Sequence, residues 1–167
     1  KAGVKLKIAG KHYSGFGKEE YWEKKILPEL NENIEYVGFL KTDQDKNEFL
    51  GNAKALIVPS IWDEPFGMVM IEALACGTPI IGSDMGAIPE IVVNKQNGIL
   101  ISVKSKKSKV KNRDIFDENE IVNEIVEAIK NIDSINRMDC RKNFEKRFTA
   151  SRMCEEHLEV YKKLIQN

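Results

Sequence analysis

Two carboxylates eight positions apart, Glu64 and Glu72, are the groups in this chain best placed to do chemistry. Between them runs Pro65-Phe66-Gly67-Met68-Val69-Met70-Ile71. Pro65 stands where a first helical turn would start, because proline donates no N–H and its φ is pre-set. The predicted helix runs to about Cys76, Gly77 closes it, and Pro79 forbids continuation. With Phe66, Met68 to Ile71 and Ala73 to Cys76 all apolar or nearly so, this helix has almost no polar face and is expected to be buried all round. Glu72 lies in its middle, and a buried carboxylate without partners is costly. Two readings follow. Glu72 is a structural residue tied to a neighbouring backbone or basic group, or it accepts hydrogen bonds from ligand hydroxyls such as those of a ribose. The first N–H groups of the helix, at about Phe66, Gly67 and Met68, lack intrahelical partners and carry the positive end of the helix dipole. That end suits a phosphate, and Gly67 allows close approach to the backbone. A phosphate between two hydroxyl-binding carboxylates describes a nucleotide-sugar site.

The elements that position these residues form a strand–loop–helix–strand unit, the building block of a parallel sheet. Lys54–Pro59 reads as a buried strand, Ser60–Glu64 as a loop, and Ile80–Ser83 as the next short strand. Trp62 in the loop is either a rim aromatic or a core anchor. Further strands are predicted at Val4–Ala9, Ile34–Leu40 and Ile99–Val103, the last after an Asn97-Gly98 turn. Helices are predicted at about Glu19–Leu30, Asp43–Ala53, Asp117–Asn131 and Arg137–Phe148, with Thr149 capping a last one. Met153, Leu158, Tyr161 and Leu164 give that last helix an apolar stripe, either packed on its own domain or exposed for another. Thr42 reads as an N-cap, with Asp43 and Asp45 in the first helical turn rather than as a metal-holding Asp-x-Asp. No His or Cys cluster has metal-ligand spacing, so no metal is expected.

The glycine-rich run Gly10 to Lys18 fails as a phosphate loop, which would need Gly at His12 and Ser or Thr at Glu19. It fails the dinucleotide pattern too, for want of a glycine at Glu20. It reads as a loop before a helix, and His12 as a bystander. Gly10 nevertheless ends a strand, where open α/β sheets place ligands. Lys104–Arg113 carries six positive charges in ten residues and reads as a solvated, mobile insertion. The alternative for it is contact with an anionic membrane surface or acceptor.

Composition sets outer bounds. The 167 residues suit one domain able to bury roughly two-thirds of its unfolded surface. Twenty-six basic and 26 acidic residues cancel, which gives no bulk-charge argument for nucleic acid or membrane. Three widely spaced cysteines, Cys76, Cys140 and Cys154, read as free thiols of a reducing, cytoplasmic compartment. No apolar run is long enough for a membrane span, and no signal peptide is visible.

The run Glu64-Pro65-Phe66-Gly67, then Glu72-Ala73 and Gly77-Thr78-Pro79, resembles the E-x7-E signature of the retaining "group 1" (family 4) glycosyltransferases. Gly86-Ala87-Ile88-Pro89-Glu90-Ile91-Val92 resembles the family's next segment, with Ala87 where a second glycine is usual. Lys5–Gly10, Ile34–Leu40 and Phe148–Leu164 fall in family order. The resemblance implies an α/β fold, a Rossmann-like parallel sheet with helices on both faces. It would be the C-terminal, donor-binding half of the two-domain GT-B architecture, lacking its first strand and its N-terminal acceptor domain. It implies sugar transfer of hexosyl type from a nucleoside diphosphate sugar to an acceptor hydroxyl, with retention, in the synthesis of glycans, glycolipids or cell-surface polysaccharides. Glu64 would be the catalytic residue, holding donor-sugar hydroxyls and supporting positive charge. Phe66, Gly67 and Met68 would hold phosphate or sugar through the main chain, and Glu72 the ribose. Phe39 and Leu40 would lie against the nucleobase, and Gly10 and Lys11 near the donor sugar. No cofactor, metal or nucleic acid is implied. The family's Gly-Arg and following Lys, which bind the diphosphate, have no match, so the chain is expected to be a fragment inactive by itself, placed in the cytoplasm or at the inner membrane face. Two other classes fit the same fold: a non-catalytic nucleotide-binding module, and an assembly domain with Glu72 paired internally.

Overall fold

In the computed structural model, residues 2–11, 18–103, 105–107 and 114–165 are described. They fall into two compact units, Lys1–Phe49 and Leu50–Asn167. In the first, β1 (Leu6–Ala9) pairs in parallel with β2 (Ile34–Gly38), in the register Leu6 to Ile34. Both strands are shorter than the sequence predicts. Gly38, at φ +80°, turns the chain out of the second. Between them lies α1 (Lys18–Tyr21), then a wider π-type turn, Trp22–Ile26, and a 3-10 turn, Leu27–Glu29. The single α-helix expected there is thus subdivided. Pro28, which donates no N–H, falls in the tighter final turn. Trp22 packs edge-on against Tyr36, with ring centroids 4.5 Å apart.

α2 (Asp43–Gly51) starts at Thr42 in a reciprocal cap. The Asp45 N–H donates to Thr42 Oγ1 and the Thr42 N–H to Asp45 Oδ2, each at 3.0 Å. Asp43 pairs with Lys46 at 3.2 Å. Capping is therefore what this Asp-x-Asp does locally. Hydrogen bonding to Thr42 holds the Asp45 carboxyl below the usual carboxylate range.

In the second unit, β3 (Leu56–Val58), β4 (Ile80–Ser83) and β5 (Gly98–Ile101) form a parallel sheet in the order β3-β4-β5. β4 is buried at every position, as a strand covered on both faces must be. α3 (Met68–Ala75) and α4 (Ile88–Ile91) supply the connections. The core is built from Met70, Leu74, Ile80, Ile81, Ile88 and Ile91, all essentially inaccessible. Each such side chain contributes about 1.5–3 kcal/mol. Three buried polar groups are satisfied. Thr78 Oγ1 donates to the Leu50 carbonyl at 2.7 Å. Asn97 accepts from the Val93 N–H and donates to the Ile91 carbonyl. Ser83 donates to Ser60.

The basic insertion is not wholly irregular. β6 (Ser105–Lys107) pairs antiparallel with β7 (Asp114–Phe116), in the register Ser105 to Phe116. A chain that reverses over so few residues can pair its own arms, and β7 is rich in strand-favouring side chains. The remainder of Lys104–Arg113 and His12 lie outside the described residues.

α5 (Glu118–Asn131) begins at Asp117, whose side chain accepts from the N–H groups of Asn119 and Glu120. α6 (Arg137–Arg147) is a brace that local sequence does not reveal. Arg137 donates to the Gly51 and Ala53 carbonyls at the end of α2 and to Thr78 Oγ1. Arg141 donates to the Ala75 carbonyl at the end of α3. Arg147 donates to the Glu90 and Ile91 carbonyls at the end of α4. One helix thus caps the carboxyl ends of three others, where carbonyls lack partners and the dipole favours cations. α7 (Ala150–Ile165) starts at the expected Thr149 cap and has no buried residue. Its stripe of Met153, Leu158, Tyr161 and Leu164 is exposed throughout.

Candidate functional site

The helix that carries Glu72 begins at Met68, three residues after the Pro65 start that the sequence predicts. Gly67 is the reason: it sits at φ +85°, a left-handed conformation that ends one path of the chain and starts the helix. The first-turn N–H groups are therefore those of Met68, Val69 and Met70. Met70 donates to the Gly67 carbonyl at 2.9 Å. Those of Met68 and Val69 have no partner among the described residues.

α3 is not buried all round, which corrects the expectation from its composition. Met70, Ala73 and Leu74 form the buried face, while Met68 and Val69 are exposed and Glu72 is half-buried. Helical geometry sets Glu72 one turn from both Met68 and Val69, on the open face. Glu72 is not without a partner within the protein. It is not sealed in the core, so the burial penalty expected for it falls away.

Glu64 is held at the start of the same helix. Its Cγ and Cδ stand 3.4 and 3.8 Å from where a Cβ on Gly67 would be. The carboxylate thus lies beside the electropositive end of α3, where negative charge is favoured. Its backbone is fixed by the loop after β4. The Ala87 N–H donates to the Glu64 carbonyl at 2.8 Å, and Gly86, at φ +53°, packs directly on the Asp63–Glu64 peptide. Ser83 Oγ donates to the Ser60 carbonyl at 2.6 Å and ties down the other end of the loop. Glu64 therefore sits in the loop beyond the carboxyl end of β3, where open α/β sheets bind ligands.

Phe66, 41% exposed, meets Phe148 edge-on at 6.5 Å, and the Arg147 guanidinium lies 4.7 Å from the Phe148 ring centroid. Arg147 and Phe148 were not legible as supports of this loop. Their links reach back 56 residues to the end of α4 and further still to Phe66. Gly86 carried a signal, its place in the motif, but not the identity of the residue it packs against.

Gly10, Lys11, Phe39 and Leu40 belong to the first unit. Gly10 donates to the Gly38 carbonyl at 3.0 Å and its own carbonyl accepts from the Tyr36 hydroxyl at 2.8 Å. These contacts gather Gly10, Lys11, Phe39 and Leu40 at the carboxyl ends of β1 and β2. Phe39 is 61% exposed and so is not part of the core of its unit.

All three cysteines are free thiols. Burial pushes the Cys140 thiol up to about 11 and raises that of Cys76 as well. Among the described residues, no cluster of three or more His, Cys, Asp or Glu could hold a metal ion, and no helix is long and apolar enough to cross a membrane.

A family model described as "Glycosyl transferases group 1" matches residues 1–146. An uncharacterized glycosyltransferase of Methanocaldococcus jannaschii is 34% identical over 79 residues, 47% of this chain and 20% of that one. The alpha-maltose-1-phosphate synthase of Mycolicibacterium smegmatis is 43% identical over 54 residues, 32% of this chain and 14% of that one. The crystal structure of Anabaena HepE in complex with UDP superposes with a TM-score of 0.73 at 20% identity. It covers 96% of this chain and 41% of HepE. At that identity the likeness shows a shared fold, an α/β architecture of parallel strands flanked by helices. The chain spans a fifth or less of these two curated relatives and about two-fifths of HepE.

Proposed function

This chain belongs to the group 1 glycosyl transferases, and from that premise we propose that it is the nucleotide-sugar-binding part of a longer, retaining enzyme of hexosyl-transfer type. The observation that carries the reading is the arrangement at the start of α3. The Glu64 carboxyl lies over Gly67, the Met68 and Val69 N–H groups point away from the helix without partners, and Glu72 opens on the same face. The two N–H groups and the dipole suit a phosphate. Glu72 suits the hydroxyls of a ribose. Glu64 suits the hydroxyls of the donor sugar, and its charge favours the positive character that develops at the anomeric carbon as the diphosphate leaves. It acts by positioning and electrostatics, not as a nucleophile. Phe66 borders the site, and Gly67, having no Cβ, leaves room for the Met70 methyl and the Glu64 side chain that pack against it. In the first unit, taken by itself, Phe39 carries an exposed ring just after β2 and Gly10 and Lys11 follow β1; the family resemblance is what assigns Phe39 and Leu40 to a nucleobase and Gly10 and Lys11 to a donor sugar. The UDP that HepE binds is a molecule of this class. Transfer itself belongs to the longer protein with its acceptor domain, and these residues alone turn over no donor.

Calorimetric titration with UDP, GDP and ADP tests the reading. One of them binds, and Glu72→Gln weakens it about tenfold, the worth of a hydrogen bond to a charged acceptor. Binding of none of the three sinks the reading. Binding that is indifferent to Glu72→Gln removes the ribose role and leaves that carboxylate a structural one.

A further inference from the structure

Trp62 is 63% exposed, and its neighbour Ile61 is 46% exposed. Indole is among the largest apolar surfaces a side chain offers, and it is ordinarily well covered. The loop that presents it is not loose. Ser83 Oγ holds the Ser60 carbonyl at 2.6 Å and the Ala87 N–H holds the Glu64 carbonyl at 2.8 Å, so only Ile61, Trp62 and Asp63 lie between two anchors. Gly86 packs on the Asp63–Glu64 peptide from beneath. The ring is thus carried on a fixed support, two residues before the Glu64 carboxylate.

We infer that Trp62 is a stacking platform for the apolar face of a pyranose ring, a specificity-determining contact of the site proposed above, on which this inference rests. A pyranose has two kinds of surface: a face of C–H groups and an edge of hydroxyls. An aromatic face covers the first, and an adjacent carboxylate accepts hydrogen bonds from the second. Trp62 and Glu64 supply that pair within three consecutive residues. The rigid loop lowers the ordering cost of the contact, as preorganised sites do. A nucleobase also stacks on an indole and carries N–H donors that a carboxylate accepts, so the bare nucleoside diphosphates serve as the separating probes. The sugar has two possible sources, the donor's own hexose and a sugar of the acceptor. Both present the same chemistry to the ring.

The experiment is a calorimetric comparison of the unsubstituted chain with Trp62→Ala and Trp62→Tyr. The probes are UDP, GDP and ADP, then UDP-glucose, GDP-mannose and ADP-glucose, then maltotriose as an acceptor-like sugar. The expected result is unchanged affinity for the nucleoside diphosphate and about fivefold weaker binding of a sugar-bearing probe to Trp62→Ala, largely restored in Trp62→Tyr. Loss confined to the nucleotide sugar assigns the ring to the donor hexose, and loss confined to maltotriose assigns it to the acceptor. A second readout needs no loss of affinity. In a Trp22→Phe background the remaining indole emission shifts with the sugar-bearing probe and not with the bare diphosphate. Weaker binding of the bare diphosphate by Trp62→Ala overturns the inference in favour of base stacking. Equal affinities of all variants for every probe overturn it in favour of a protein partner for this ring. If the unsubstituted chain binds no nucleotide, the donor-site reading has failed, and this inference fails with it.

Discussion

Gly86→Ala is the substitution that tests how Glu64 is placed. Gly86 adopts φ +53°, where a side chain costs about 1–2 kcal/mol. The space is closed as well. A Cβ there would stand 2.6 Å from the Glu64 carbonyl oxygen and 2.7 Å from the Asp63 carbonyl carbon, and closer still to the Glu64 amide nitrogen. All three are backbone atoms and cannot rotate away, so the overpacking adds about 1–3 kcal/mol. The expected loss of stability is about 2–5 kcal/mol, read as the change in urea unfolding free energy. Whatever relief the protein finds comes from pushing the Asp63–Glu64 peptide outward, which breaks the Ala87-to-Glu64 hydrogen bond and moves the carboxylate off Gly67. Nucleotide-sugar affinity therefore falls along with stability. Gly51→Ala is the control: its φ is not positive and nothing lies within 4 Å of the new methyl. It is expected to be neutral or to stabilise by up to about 1 kcal/mol. The reasoning is refuted if Gly86→Ala unfolds within about 0.5 kcal/mol of the unsubstituted chain, the range of an ordinary surface change.

Thr78→Val removes a buried hydroxyl that serves both the Leu50 carbonyl and Arg137, and should cost about 1–3 kcal/mol in urea unfolding; no change would mean that α6 is held by other contacts. Asn97→Asp replaces the donor that faces the Ile91 carbonyl by an acceptor. Its folded-state carboxyl pKa is raised, so the deficit is largest at neutral pH and shrinks as acid protonates the group, which unfolding curves at pH 4 and pH 7 will compare. The Asp45 carboxyl, held low by Thr42, supports folding above the ordinary Asp range and loses that support as pH falls through its folded value. Thr42→Ala should move its NMR titration midpoint upward. Alkylation at pH 8 followed by mass spectrometry should label exposed Cys154 first and buried Cys140, with its thiol pushed to about 11, last; fast labelling of Cys140 would contradict the packing of α6.

The order and type of most elements were legible because their signals are local. Thr42, Asp117 and Thr149 announce helix starts through side chains that reach only two or three residues ahead. Gly77 and Pro79 announce the end of α3 in the same way. Where local signals conflict, the reading slipped. Pro65 is a good first helical residue, yet Gly67 takes the left-handed turn two positions later and resets the start to Met68. The α1 region reads as one helix but contains three kinds of turn.

By itself, the sequence determined the repeating strand–helix pattern, the paired carboxylates of the motif and the family to which they point. All of these depend on residue types at short spacing. The tertiary structure decided which face of α3 is covered, that Gly86 underlies Glu64, that three arginines of α6 close the ends of three helices, and that Trp62 and Phe39 stand in solvent. Those facts depend on which distant segments meet. Amphipathic pattern reports how apolar an element is, but only packed neighbours determine where its remaining surface lies. For that reason the carboxylates could be named from the chain alone, whereas the support that aims Glu64 could not.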